Sequence, residues 1–484
     1  MQHALALIAA LALAPTAPQG KDWGAIARAD VLAGYELFSA NHPGMRDPQS
    51  LTFPDQLAAA RDEGLKLASR AHDHAGYADA LGAFSAVLAD GHAQLSDNPP
   101  PGPEKVEWPG FVAAWRGSGV LVHFAGPTSP APAGSTIEQC DGRPMAAFIR
   151  DRLLYSGFRP REAGHWWART PRVFVASPDL SRALPRSCTF RRPDGRTIVR
   201  HLAWSAAPAN VDRLLRNASD GERTPIGLSE ARPGIFLVGM PDFNPDAEGV
   251  KAWRTLYKAL TARRLELRRA KAVVLDLRYN NGGSSEWSRD AARLVWGRDA
   301  VDARMERYNR NVGIWWRASP SNITYMADME DRIRRNGQKA VADEMHTVAI
   351  GMKAAAAKRQ DFYAEAQGKP EYPPNRPLPP IDFVTPVYVI TPGRCASACL
   401  DALDTFKRFT NVKLIGAPTS ADSTYMEVRV APLPSGQGSA IIPVKMWVGR
   451  PRAAGEVYRP DIEMDDAEWS TANFLERIDH DLVH

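Results

Sequence analysis

The stretch Ala272-Val273-Val274-Leu275-Asp276-Leu277-Arg278-Tyr279-Asn280-Asn281-Gly282-Gly283 decides the fold. Its first six residues are apolar apart from one charge near the end, the pattern of a strand buried on both faces. Two glycines follow where the chain must turn, and without a Cβ they leave backbone N–H groups uncovered. Outward from it, Gly234–Val238, Pro386–Thr391 and Val412–Gly416 read as further apolar strands. Between them lie amphipathic helical stretches, Val250–Arg269, Ser288–Val295 and one opening after Ser397. This alternation predicts an α/β core over residues 206–484 with largely parallel strands joined by βαβ units.

At 484 residues the chain exceeds what one hydrophobic core supports, so several modules are expected. Residues 21–98 read as a helical module, with apolar positions at helical spacing through Trp23–Leu37, Leu57–Ala71 and Tyr77–Leu88. The run Pro99-Pro100-Pro101-Gly102-Pro103 reads as a stiff linker. Residues 105–205 alternate short apolar runs with turn signals, predicting a small sheet with one helix, Met145–Leu154, and a strand at Arg172–Ala176. Residues from about 300 to 380 are polar and helix-prone, and read as a helical insertion over one edge of the core, because a structureless loop of that length is unreasonable.

Hydrophobic content of 44% and charged content of 24% are those of a soluble globular protein. The net charge of +5 is a weak bias at this length, and no Lys/Arg run with interleaved aromatics implies nucleic acid. Ala4–Ala14 is apolar without a break and is followed by small residues, which predicts a signal peptide over 1–20 and export to a periplasmic or extracellular space. No later stretch is apolar enough for a membrane span. No Cys/His cluster has zinc spacing, so neither metal nor cofactor is implied. Cys140 and Cys188 share the β-rich unit and can pair in an exported chain, with buried free thiols as the alternative. Cys395 and Cys399 read as packing residues.

Ser397 lies in Gly393-Arg394-Cys395-Ala396-Ser397-Ala398-Cys399, between a buried strand and a helical segment. That position presents its Oγ at the carboxyl edge of a sheet, where α/β sites lie. The N–H of Ala398 then points from a helix N-terminus towards developing negative charge. A serine at a helix start is far more often an N-cap, so the context must carry the argument.

That context resembles the tail-specific, or C-terminal processing, serine peptidases. Asp276-Leu277-Arg278-Tyr279-Asn280-Asn281-Gly282-Gly283 is similar to the family's Asp-x-Arg-x-Asn-x-Gly-Gly motif, and Cys395-Ala396-Ser397-Ala398 to its nucleophile segment. Leu414–Thr419, Leu433–Gly436, Ile441–Pro443 and Arg459–Ile462 follow in the family's order, so the likeness covers roughly 232–484. Residues 131–144 resemble the carboxylate-loop neighbourhood of a diverged PDZ module. The resemblance implies a crotonase/ClpP-like α/β core, an N-terminal helical module, a PDZ-like β-rich module and a peptide or protein substrate. It also implies an oxyanion hole built from Gly282, Gly283 and Ala398.

The general base departs from one branch of the family. Members with a Ser–Lys dyad carry the lysine about twenty-five residues after the serine, where this chain has Asp422, and no Lys lies between Lys413 and Lys445. A carboxylate titrating near 3.9 is a poor base for a hydroxyl. The tricorn-like branch uses an upstream His in an Asp-Gly-His-Thr segment, and Asp90-Gly91-His92-Ala93 is similar to it. His92 is therefore expected as general base, because imidazole generally titrates at about 6.5. That branch adds a Glu before the closing Pro-Asp, for which Glu456 is the nearest match, while Asp461 is expected to be structural and Asp276 to cap or pair with Arg278. The implied activity is a serine peptidase. The competing expectation is a catalytically silent peptide- or lipid-binding protein on the same fold.

Overall fold

The apolar runs of the core form one sheet because each alternates its side chains between two covered faces. The computed structural model describes residues 21–98, 106–117, 119–176, 182–366, 371–373 and 375–484. The expected signal peptide and the Pro-rich linker 99–103 lie outside the described residues. Gly227–Arg232, Ile235–Gly239, Ala272–Asp276, Val387–Thr391, Val412–Gly416 and Ile462–Glu463 lie side by side in sequence order. The first pair is antiparallel and the others are parallel. Val273, Leu275, Val387 and Val389 face a cluster built with Trp253, Leu260, Trp296 and Phe406. Val274, Tyr388 and Ile390 face the opposite way, onto Trp469, Phe474 and Ile478 of the segment that ends in the helix Thr471–Val483. Fully burying such side chains contributes about 1.5–3 kcal/mol each, which makes this sheet the rigid part of the molecule.

A second sheet brings together distant parts of the chain. The long strand Gly438–Val448 pairs with Tyr425–Pro432 on one edge, and with Gln94–Asp97 and Gly313–Arg317 on the other. Phe362–Ala364 extends it beyond Gly313–Arg317. The helices Trp23–Asn41, Phe53–Ala68 and His74–Leu88 cover one side, packing Phe38, Leu57, Tyr77 and Phe84 on Ala440, Ile442 and Met446.

Three sequence expectations change here. The 300–380 segment does contain the helices Pro320–Arg335 and Lys339–Ala357. It also supplies two strands to the second sheet, because Ile314-Trp315-Trp316 is β-prone and buries Trp316 with Met326, Met352 and Val444. In the β-rich unit, Phe111–Arg116, Gly119–Ala125, Thr136–Cys140, Ser187–Arg191 and Thr197–His201 form the expected sheet. Arg172–Ala176 is not a strand; Pro171 starts a 3-10 turn over Thr170–Phe174 instead. A second helix, Ala163–Arg169, precedes that turn. It was concealed by the short, aromatic-rich run Gly164-His165-Trp166-Trp167, and it proves central to the site.

All four cysteines are bonded, as Cys140–Cys188 and Cys395–Cys399. The second pair corrects the packing expectation, since the first turn of the helix Ala398–Phe406 brings Cys399 back over Cys395.

Candidate active site

Parallel register places two loops together. Asp276 pairs with Ile390, so the Gly282-Gly283 turn and the Ser397 loop leave the carboxyl ends of adjacent strands. A buried ion pair anchors the first loop. Asp276 receives the Arg278 guanidinium at 2.7 Å, while Arg278 also donates to Trp469 O at 2.9 Å and Thr471 Oγ1 at 2.8 Å. Buried Asn280 donates to Met240 O at 2.8 Å, and its Oδ1 accepts the Gly282 N–H at 2.9 Å.

This last bond corrects the expected oxyanion hole. The Gly282 amide is already committed to Asn280, so Gly282 acts by its lack of a side chain. A Cβ on Gly282 would lie 2.8 Å from Ser397 Cβ and 3.3 Å from Ala398 N, at φ +117. Gly283 is held at φ +129, and a Cβ there would lie 2.1 Å from Phe243 O. The Ala398 N–H opens the helix Ala398–Phe406, and neither it nor the Gly283 N–H meets an acceptor among the described residues.

Ser397 occupies φ 54, ψ −128, where a residue with a Cβ is strained. Its N–H donates to both carboxylate oxygens of Asp422, at 2.9 and 3.0 Å. Asp422 is buried beside the Arg452 guanidinium, 3.2 Å away. Burial pushes its carboxyl above the usual carboxylate range, and the charges of His92 and Arg452 and the Ser397 N–H hold that rise back. The position expected to carry lysine in the dyad branch thus carries a residue that clamps the serine backbone.

His92 reaches the same cleft from the second sheet. Ala89 ends the helix His74–Leu88 in the left-handed conformation, and Asp90 Oδ1 accepts the His92 N–H at 2.8 Å. That turn lies just before the strand Gln94–Asp97 and sets the imidazole with Nδ1 3.7 Å from Asp90 Oδ1. His92, Asn281, Ser397, Ser420 and Asp422 all line one cleft of about 470 Å³. A larger cavity of about 720 Å³, between Tyr279 and Trp469, is lined by neither Ser397 nor His92.

A second histidine lines the cleft. His165 is buried, and burial with the charges of Arg159 and Arg169 pushes it down to about 2, so it stays neutral. Its Nδ1 accepts the Arg159 N–H at 3.2 Å, which makes it a structural piece. Its neighbour Glu162 accepts from Ser420 Oγ at 2.5 Å and from Ala421 N at 3.0 Å. The helix Ala163–Arg169 comes this close because residue 164 is glycine: a Cβ there would lie 2.2 Å from Gly393 O. The sequence reading missed Glu162 because its helix was missed. It set Asp422 aside as a base and so overlooked it as a clamp.

Glu456 is placed elsewhere. It is exposed, its carboxylate accepts the Ala453 N–H at 2.8 Å, and it does not line the cleft. The intervening Gly455 turn directs it to solvent, so Asp90 and not Glu456 lies beside the imidazole. Asp461 is structural as expected, since it ties its segment to Leu414 through Leu414 N–H to Oδ2 at 2.7 Å.

With the Gly-Gly turn and the serine elbow on neighbouring strand ends, the comparison with known families follows. Residues 234–463 match the model of peptidase family S41. The S41-matching segment contains the parallel strands of that sheet, the Gly-Gly turn, Ser397 and Asp422, but neither the antiparallel edge strand Gly227–Arg232 nor His92. The crystal structure of mature CPAF is similar over 94% of this chain and 96% of its own, with a TM-score of 0.61 and 14% identity. The structure of mature CPAF complexed with lactacystin covers 94% and 97%, with a TM-score of 0.59 and 12% identity. At these identities the likeness is one of fold. It extends beyond the S41-matching segment to the N-terminal helices and the β-rich unit. No curated protein sequence matches the chain.

Proposed function

We propose that the protein is a serine peptidase cleaving peptide bonds through an acyl-enzyme on Ser397, in the His-dependent, tricorn-like manner. The observation that carries this reading is the backbone of Ser397. Its φ of 54 and ψ of −128 fall at a strand-to-helix junction, in a cleft that His92 also lines. Such a conformation costs of order 1–3 kcal/mol and persists where the surroundings over-determine it, typically at active sites.

Ser397 Oγ attacks the carbonyl carbon while its proton passes to His92 Nε2. The tetrahedral oxyanion accepts from Ala398 N–H and Gly283 N–H at a helix N-terminus. The C–N bond then breaks and His92 returns the proton to the leaving amine. Water attacks the acyl ester with His92 again as base, releasing the acid and restoring Ser397. Asp90 fixes the backbone at His92 by accepting its N–H, and its carboxylate stands 3.7 Å from the imidazole Nδ1, outside hydrogen-bond range. The β-rich unit, in the manner of a PDZ module, delivers a peptide terminus by strand addition. Export fits a chain whose four cysteines are all paired.

The test is hydrolysis of an unfolded protein by the wild type and by Ser397→Ala. Cleavage that disappears in the variant supports the reading; cleavage that persists overturns it.

A further inference from the structure

We infer that the Cys395–Cys399 disulfide is a positioning device for Ser397, so that hydrolytic competence depends on this bond having formed. The inference rests on the reading of Ser397 as nucleophile. The bond closes a ring over residues 395–399 with Ser397 at its centre. Ser397 is also the non-glycine residue of that ring with positive φ. A serine freed to return to negative φ must swing the peptide units on both sides, and the ring ties those units together.

Magnitude separates this role from ordinary stabilisation. A disulfide limits the unfolded chain more as the loop it closes lengthens. Cys140 and Cys188 are 48 residues apart, whereas Cys395 and Cys399 are 4 apart, close to the shortest loop a helix turn allows. The short ring therefore constrains the whole chain least and the elbow most. Other contacts hold the same residue: the Asp422 carboxylate on its N–H, Gly282 against its Cβ, and the Leu400 and Asp401 N–H groups on its carbonyl at 2.8 and 3.2 Å. Each of these is non-covalent and acts on one side of the residue. The ring adds a covalent tie between the peptide units on both sides.

Both sulfurs are fully buried. The bond is thus set during folding: two thiols lose two protons and two electrons to a disulfide-class oxidant, which leaves as its dithiol. Once closed, it opens only slowly to a reductant in the folded protein.

The test compares Cys395→Ser/Cys399→Ser with wild type and with Cys140→Ser/Cys188→Ser. Readouts are the rate constant for fluorophosphonate labelling, kcat and KM on a peptide, and far-UV circular dichroism. The expected result is a folded elbow variant with KM within about twofold of wild type, but kcat and labelling rate lower by about tenfold or more. The control should keep its kcat while melting at lower temperature. A folded elbow variant that labels at the wild-type rate overturns the inference. If that variant does not fold, wild-type protein is partly reduced with a phosphine, alkylated and sorted by mass. Label confined to chains with an intact 395–399 bond supports the inference, and label on chains alkylated at both positions overturns it. An inert, fully oxidised wild type would instead overturn the peptidase reading itself.

Discussion

The two halves of the site are held in different ways. The Gly282-Gly283 turn and the Ser397 elbow sit on adjacent strands of one sheet, in a register fixed by backbone hydrogen bonds. His92 and Asp422 instead come from turns at the start of two strands, Gln94–Asp97 and Tyr425–Pro432, that flank Gly438–Val448 in the second sheet. Glu162 comes from a third unit and braces Ser420 and Ala421, next to Asp422. One half is therefore built by local register, and the other by packing between sheets. The difference teaches that Ser397 and its glycines form a preset frame, whereas His92, the proposed base, is brought to it by tertiary structure.

The comparison is broken most severely by removing the base. His92→Ala should lower kcat/KM by about 10⁴-fold or more with the fold retained, read by peptide hydrolysis and circular dichroism. A loss below tenfold would mean that the second-sheet half contributes no proton transfer. Next comes the anchor of the preset half. Arg278→Leu leaves buried Asp276 unpaired and should cost about 3–5 kcal/mol of unfolding free energy in urea titration. Gly283→Ala drives a Cβ against Phe243 O and should lower kcat by about 10²–10³-fold, much more than it raises KM.

A smaller effect sharpens how the base-bearing half is packed. His42 is stacked at 4.1 Å on Phe53, and burial pushes it down to about 3. Its folded pKa lies below its unfolded one, so the unfolded chain binds the extra proton. Stability is complete above about 6.5 and falls as pH drops towards about 3, by up to about 1.4 kcal/mol per pH unit. His42→Asn, which can still accept the Gly44 N–H, should flatten this acid limb in melts taken from pH 7 to 4. Smallest of all, Glu456→Ala should change kcat/KM by less than about twofold, in line with its exposed place outside the cleft. A loss above tenfold would restore it to the site.

What the sequence made legible follows the same division. Strand alternation around Leu275 and Val389, and the contiguous run Asp276 to Gly283, are local signals, and the sheet and the serine elbow were readable from them. His92 was singled out because the contiguous Asp90-Gly91-His92-Ala93 resembles a family segment, and in the fold that run is a short turn with its own side-chain cap. The roles of Asp422, Glu162 and Asp90 depend on pairings across 25, about 260 and 2 residues, and only the last is local. Glu456 failed because a spacing argument cannot see the turn at Gly455 that carries it to solvent. The commitment of the Gly282 N–H to Asn280 is a choice between donor and acceptor that composition does not record.

The central claim, that Ser397 is a nucleophile activated by His92, is tested most directly by mapping a fluorophosphonate adduct by mass spectrometry in wild type and in His92→Ala. The account predicts a single adduct on Ser397 in the wild type, forming at least about a thousandfold more slowly without His92. A folded wild type that takes up no label, or His92→Ala labelling at the wild-type rate, would contradict it.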